Sequence, residues 1–154
     1  MLKYDSYDIV LQEIPNEISL CFTITGCQLA CDGCHSEHIW NPENGEELTR
    51  ELFEKLILKY QKTVTCVLFM GGEWNSEELI LLMSIARKNR LKTALYTGLN
   101  DKQIKRNHSL LLKHLDFLKT GKWIPALGGL GSPETNQVLR NLNSGEMLNK
   151  YFTH

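Results

Sequence analysis

Three thiols stand within eight positions of this sequence, in the run Cys27-Gln28-Leu29-Ala30-Cys31-Asp32-Gly33-Cys34. Spaced as i, i+4 and i+7 in one short segment, they can grip a single metal centre. Their number decides the chemistry. A structural zinc site closes with four ligands, and an iron–sulfur electron carrier also uses four cysteines. A 4Fe–4S cubane on three protein thiolates leaves one iron open, and an open iron can bind a substrate or cosubstrate directly. Such a site is catalytic rather than a relay. Cys21 and Cys66 fall inside apolar, β-branched runs and read as buried packing residues. Two other chemistries compete for the loop. His35 or His38 would complete a zinc knuckle, although structural zinc modules ordinarily pair two separated ligand couples and the sequence holds no second couple. Cys31 and Cys34 alone would suit a thioredoxin-like redox pair, which leaves Cys27 unused.

The elements that must position this loop follow from periodicity. Ile18 to Thr25 reads as a strand ending at Gly26, immediately before the cysteines. After the turn-rich stretch around Asn41, Pro42, Asn44 and Gly45, residues Leu52, Phe53, Leu56, Ile57 and Tyr60 recur at helical spacing behind Thr49 as N-cap. The unit repeats. Val64 to Met70 predicts a strand, Gly71-Gly72-Glu73-Trp74 a loop, and Asn75 with Glu78 a capping pair opening a helix that turns Leu79, Leu82, Met83 and Ala86 inward. Lys92 to Thr97 predicts a third strand, Gly98 a break, and Asn100 with Gln103 a second capping pair before Ile104, His108, Leu111, Leu112 and Leu115 on one face. Asp116 to Gly121 predicts a fourth strand. Beyond Lys122 the glycines and prolines interrupt periodicity until a short apolar segment at Val138 to Leu142. Alternating strands and helices predict an α/β fold with a mostly parallel sheet, whose strand C-terminal ends carry the ligand-binding loops. The cysteines, Gly71-Gly72-Glu73 and Thr97-Gly98 all fall at such ends.

Bulk properties narrow the classes. The 154 residues suit a single domain spanning 1–154, and 42% hydrophobic with 23% charged residues suits a globular chain. A net charge of −1 argues against a nucleic-acid partner, and Arg87, Lys88, Arg90 and Lys92 read as a helix end. The first ten residues lack a signal-peptide layout, and no apolar run approaches the roughly 20 residues that span a bilayer. Five cysteines, an odd number, fit a metal site in a reducing compartment better than a disulfide framework. The expectation is a cytoplasmic protein with no membrane partner.

Cys-x3-Cys-x2-Cys directly after a first strand resembles the signature of the radical S-adenosylmethionine enzymes. The resemblance implies a compact partial (β/α) barrel, a 4Fe–4S cluster on Cys27, Cys31 and Cys34, and S-adenosyl-L-methionine chelated to the open iron by its amino and carboxylate groups. Reductive cleavage would give methionine and a 5′-deoxyadenosyl radical. Gly71-Gly72-Glu73 resembles the family's Gly-Gly-Glu-Pro segment, which receives the cosubstrate's ammonium; Trp74 stands where the motif has proline, and a tryptophan can hold such a loop by packing. Tyr96-Thr97-Gly98 is similar to a Tyr/Trp-Thr-Gly stretch of activases, with the Thr97 hydroxyl on the cosubstrate. Asp116 and Lys119 are similar to an Asp-x-Lys pair, one residue longer, which implies Lys119 as partner of the cosubstrate carboxylate. Gly33 before the last cysteine, Thr25-Gly26-Cys27, Trp40-Asn41 with Gly45, and Gly131-Ser132 with Asn136-Gln137 narrow the resemblance to activating proteins of anaerobic ribonucleotide reductases. It implies a glycyl-radical-activating oxidoreductase whose partners are the large reductase subunit and an electron donor such as flavodoxin. With little chain left for a lid, a partner protein would close the open face. A radical enzyme acting on a small molecule and a zinc-stabilised binding module are the alternatives.

Overall fold

The computed structural model describes residues 2–26, 41 and 43–152. Residues 27–40, with Cys27, Cys31 and Cys34, lie outside that set. In chain order the elements are β1 (Lys3–Val10), β2 (Ser19–Ile24), β3 (Glu46–Glu47), α1 (Arg50–Tyr60), β4 (Cys66–Met70), α2 (Ser76–Lys88), β5 (Lys92–Tyr96), α3 (Asp101–Asn107), α4 (Ser109–Leu112), β6 (Phe117–Thr120) and β7 (Val138–Asn141), with 3-10 turns at Glu73–Asn75 and Asn149–Tyr151.

They form one seven-stranded sheet in the order β3-β1-β2-β4-β5-β6-β7. The four central strands β2, β4, β5 and β6 are parallel, as the alternation predicts, and the outer pairings are antiparallel. Among the described residues β3 and β7 are the sheet edges. One sheet face carries Leu20, Phe22, Ile24, Val67, Phe69 and Leu95 and packs against Phe53, Leu56 and Ile57 of α1 and Leu79, Leu82, Met83 and Ala86 of α2. Phe22 is the hub, with ring centroids 5.5 Å from Phe53 and 5.8 Å from Phe69. The other face carries Cys21, Cys66, Leu68, Ala94 and Phe117, covered by Ile14, Leu148 and Phe152. Helices therefore back one face, while the second is covered by irregular chain.

Three local differences from the sequence reading have physical causes. β1 is absent from that reading because Lys3, Asp5, Ser6 and Asp8 depress local strand preference; its antiparallel ladder with β2, bulged between Tyr4 and Ser6, overrides them. Asn75 makes no side-chain cap. Instead its amide donates to Gly72 O at 2.9 Å in the 3-10 turn, and Ser76 Oγ donates to Glu73 O at 2.6 Å. The helical face expected from Ile104 to Leu115 breaks at His108, which sits at φ −140, ψ 36 between α3 and α4. The Asn100–Gln103 capping box and the Thr49 cap form as predicted.

Candidate active site

Parallel pairing aligns the C-terminal ends of the central strands. Thr23, Met70, Tyr96 and Lys119 are register partners in sequence across β2, β4, β5 and β6. The ladder continues one step past the strands: Gly71 N donates to Tyr96 O and Thr97 N donates to Lys119 O, each at 2.9 Å. Gly71, Gly72, Glu73, Thr97 and Lys119 therefore gather at one end of the sheet, as the topology argument requires.

Glu73 is the chemically unusual group there. It is 4% exposed, a rare setting for a carboxylate. Thr97 Oγ1 donates to its Oε1 at 2.7 Å, while its Oε2 has no hydrogen-bond partner among the described residues. Burial pushes the Glu73 carboxyl up from the ordinary range, opposed by the Thr97 hydrogen bond, a backbone hydrogen bond and the charges of His108 and Lys119. Thr97 is itself fixed, because Leu99 N donates to its hydroxyl at 3.1 Å.

Gly71 explains how Glu73 reaches this place. At φ +89 it adopts a conformation open to glycine, and a Cβ there would lie 2.8 Å from Trp74 Cη2. The indole packs on Gly71 and holds the loop, the role expected for Trp74 in place of proline. Lys119 Nζ lies 5.1 Å from the centroid of the Tyr96 ring, whose hydroxyl donates to Glu13 O. Asp116 is elsewhere. It precedes β6 and accepts from Thr93 N at 2.9 Å, Arg87 Nη1 at 3.2 Å and Asn143 Nδ2 at 2.9 Å. The Asp116–Lys119 pair is thus split between opposite ends of one strand, which corrects its reading as a unit.

The described chain on either side of residues 27–40 is tied to the N-terminal stretch at Leu2 and Lys3. Thr25 N donates to Lys3 O at 2.9 Å, and Leu48 N to Leu2 O at 2.8 Å. At Gly45 a Cβ would lie 2.5 Å from Tyr4 O, so the returning chain presses directly on the strand. Cys21 and Cys66 are buried free thiols, each pushed up to about 12 by burial, which disfavours the thiolate that a metal takes. Sequence reasoning missed His108 and Ser76. Ser76 Oγ lies 2.9 Å from His108 Nδ1, and only the unexpected 3-10 turn and helix break bring them together. A cavity of about 550 Å³ opens beyond Gly98, between Asn100, Asp101, Thr120, Lys122 and Asn136. In the tail, Gln137 Nε2 donates to Gly121 O at 3.3 Å, a packing role for part of the Asn136-Gln137 match.

Comparison with known proteins identifies an iron–sulfur protein. The family model described as 4Fe-4S single cluster domain matches residues 18–132, and the chain belongs to that family. The match spans Cys27, Cys31, Cys34, Gly71, Gly72, Glu73, Thr97 and Lys119. The chain is 30% identical over 107 residues to the anaerobic ribonucleoside-triphosphate reductase-activating protein of Enterobacteria phage T4, covering 65% of this chain and 67% of that one. It is 28% identical over 130 residues to the protein of the same description from Vibrio cholerae serotype O1, covering 75% and 83%. To the pyruvate formate-lyase-activating enzyme of Clostridium pasteurianum it is 31% identical over 99 residues, covering 60% of this chain and only 40% of that enzyme. The resemblance to radical S-adenosylmethionine activases of glycyl-radical enzymes, drawn from the cysteine loop and its companion motifs, therefore stands. No solved structure matches the chain. No helix among the described residues is long and apolar enough to cross a membrane.

Proposed function

We propose that the chain is an activating enzyme that binds a 4Fe–4S cluster on Cys27, Cys31 and Cys34, cleaves S-adenosyl-L-methionine reductively, and installs a glycyl radical on a large anaerobic ribonucleoside-triphosphate reductase. The observation that carries the site is Glu73: a buried carboxylate whose Oε2 has no hydrogen-bond partner among the described residues, at the same sheet end where β2 leads into Thr25 and Gly26. An ammonium is a donor without acceptors, so this oxygen fits the amino group of the cosubstrate. Gly71 and Gly72 let backbone approach the same group closely. Lys119, in register at the sheet end, suits the cosubstrate's carboxylate, and Thr97 fixes the carboxylate of Glu73.

Cys27, Cys31 and Cys34 would hold the cluster, which when reduced would supply the one electron that splits the sulfonium into methionine and the hydrogen-abstracting fragment. The chain's own residues bind and orient: Glu73 and Lys119 hold the two ends of the amino-acid moiety, and Trp74 keeps the loop closed. This reading extends the central α/β sheet to the partial barrel of the resemblance, in one domain over 1–154, with a flavodoxin-like electron donor in the cytoplasm. The reductase is favoured as substrate because two of the three named relatives are described as activating that enzyme.

The test is anaerobic reconstitution followed by reduction with S-adenosylmethionine, with and without the large reductase. A glycyl radical by electron paramagnetic resonance is expected only with the reductase present. A well-formed cluster that yields 5′-deoxyadenosine but no glycyl signal would sink the substrate assignment and favour a small-molecule substrate. A colourless protein with stoichiometric zinc would sink the cluster.

A further inference from the structure

Two hydrogen bonds to one hydroxyl assign a role that the mechanism above leaves empty. Ser76 has a single hydroxyl hydrogen, and its Oγ lies 2.6 Å from Glu73 O, a group that only accepts. That hydrogen is therefore committed to the carbonyl. The second contact of the same oxygen, 2.9 Å to His108 Nδ1, must then be donated by the imidazole. His108 thus carries its proton on Nδ1, whether or not Nε2 is also protonated. The ring is half-buried at the break between α3 and α4, whereas Glu73 belongs to the turn after β4. A relay of two bonds, Nδ1–H to Oγ and Oγ–H to the carbonyl, joins these elements at the residue whose carboxylate Thr97 grips from the other side.

We infer that His108 is a positioning residue, which through Ser76 fixes the backbone at Glu73 and thereby sets the affinity of the site for S-adenosylmethionine. The inference rests on the reading of Glu73 as the acceptor for the cosubstrate's ammonium. The relay works by geometry. A carboxylate that must meet an ammonium with one oxygen while Thr97 occupies the other has little freedom to adjust, so a shift of its backbone is felt directly. A purely structural helix-start role would lower thermal stability and leave affinity untouched. The donor identity separates the two, because an asparagine amide nitrogen stands in the place of Nδ1 and an alanine supplies nothing.

The experiment measures S-adenosylmethionine binding to the anaerobically reconstituted holoenzyme by equilibrium dialysis, without any reductase, for the wild type, His108→Ala, His108→Asn and Ser76→Ala. His108→Ala and Ser76→Ala should each weaken binding about 3- to 10-fold, the worth of one net hydrogen bond. The double variant should be no worse than either single one, and His108→Asn should recover most of the loss. Two readouts need no cosubstrate. Nitrogen-15 shifts of the His108 ring should place the proton on Nδ1 above the imidazole titration, and exchange of the Asn75 amide should accelerate in His108→Ala. Equal affinity of His108→Ala and wild type, failure of His108→Asn to rescue, or an Nε2–H tautomer would each overturn the inference. Wild-type holoenzyme that binds no S-adenosylmethionine would instead overturn the function, while the ring and amide readouts still decide the relay. Binding without glycyl-radical formation leaves the relay intact and removes only the reductase.

Discussion

Thr97 donates its hydroxyl hydrogen to Glu73 Oε1 at 2.7 Å, joining the end of one parallel strand to the loop after its neighbour. The bond opposes the burial that raises the Glu73 carboxyl, and so favours the ionised form. An ammonium ligand needs that ionised form. Affinity for S-adenosylmethionine should therefore rise with pH through the raised titration of Glu73. Thr97→Val, nearly isosteric but unable to donate, should push that titration higher and move the affinity curve to higher pH. Dissociation constants across a pH series on the reconstituted protein measure the shift; superimposable curves for the two proteins would refute the coupling.

The same carboxylate costs stability. A folded-state titration raised above the unfolded one means that Glu73's stabilising contribution is fully present below the ordinary glutamate range and is lost as pH rises through the raised value. Glu73→Gln keeps an acceptor for Thr97 and removes the buried charge. At pH 8, without cosubstrate, the variant should melt higher by about 2–4 °C for each kcal/mol gained. The difference should shrink toward pH 4, and S-adenosylmethionine binding should be lost at both values. A Glu73→Gln protein less stable than wild type at pH 8 would refute burial of the charge as the dominant influence on Glu73.

Cysteine variants separate ligands from packing. Cys21 and Cys66 are 5% and 0% exposed, with thiols pushed up to about 12 by burial. Iron binds thiolate, the form that burial disfavours at both positions. Cys21→Ala and Cys66→Ala should keep a brown protein with about four irons per chain. Cys66→Ala should cost about 1 kcal/mol in the core. Alanine at Cys27, Cys31 or Cys34 should remove S-adenosylmethionine cleavage. Iron lost from Cys66→Ala, in a chain that still folds, would show the ligand set to be wrong.

Much of the framework is legible in the sequence because it rests on local signals. The β2, β4, β5 and β6 runs, the Thr49 cap and the Asn100–Gln103 box depend on residues close together, and each is present. Topology then brings Gly71, Glu73 and Thr97 to one sheet end without any knowledge of their contacts. What was illegible depends on distant partners. β1 exists because β2 and β3 pair with it despite two aspartates, and with the 3-10 turn at Glu73–Asn75 leading into it, α2 starts directly after Asn75 without a side-chain cap from that residue. His108 reads as one more residue of an apolar face, since nothing local marks it as the partner of Ser76 from 32 residues away. The Thr97 hydroxyl, which the resemblance places on the cosubstrate, gives its hydrogen to Glu73 Oε1, a bond that local sequence does not announce.

Asp116 and Lys119 stand at opposite ends of β6 although three positions apart. Asp116 is 9% exposed and gathers donors from Thr93, Arg87 and Asn143, tying together the start of β5, the end of α2 and the turn after β7. Lys119 lies farther along β6, in register with Tyr96 at the end where Glu73 sits. Asp116→Ala leaves the Thr93 amide without its carboxylate and should destabilise the fold by about 2–3 kcal/mol, while S-adenosylmethionine affinity in the folded protein stays near wild type. Lys119→Ala should do the reverse. Its stability should fall less than that of Asp116→Ala, by about 1 kcal/mol for the lost contact with the Tyr96 ring, whereas loss of a charged hydrogen bond to the cosubstrate's carboxylate should weaken binding roughly tenfold or more. Chemical denaturation and equilibrium dialysis on the same two proteins separate these effects. A Lys119→Ala protein with wild-type affinity would remove Lys119 from the site, and an Asp116→Ala protein that folds normally but binds poorly would restore the aspartate to it.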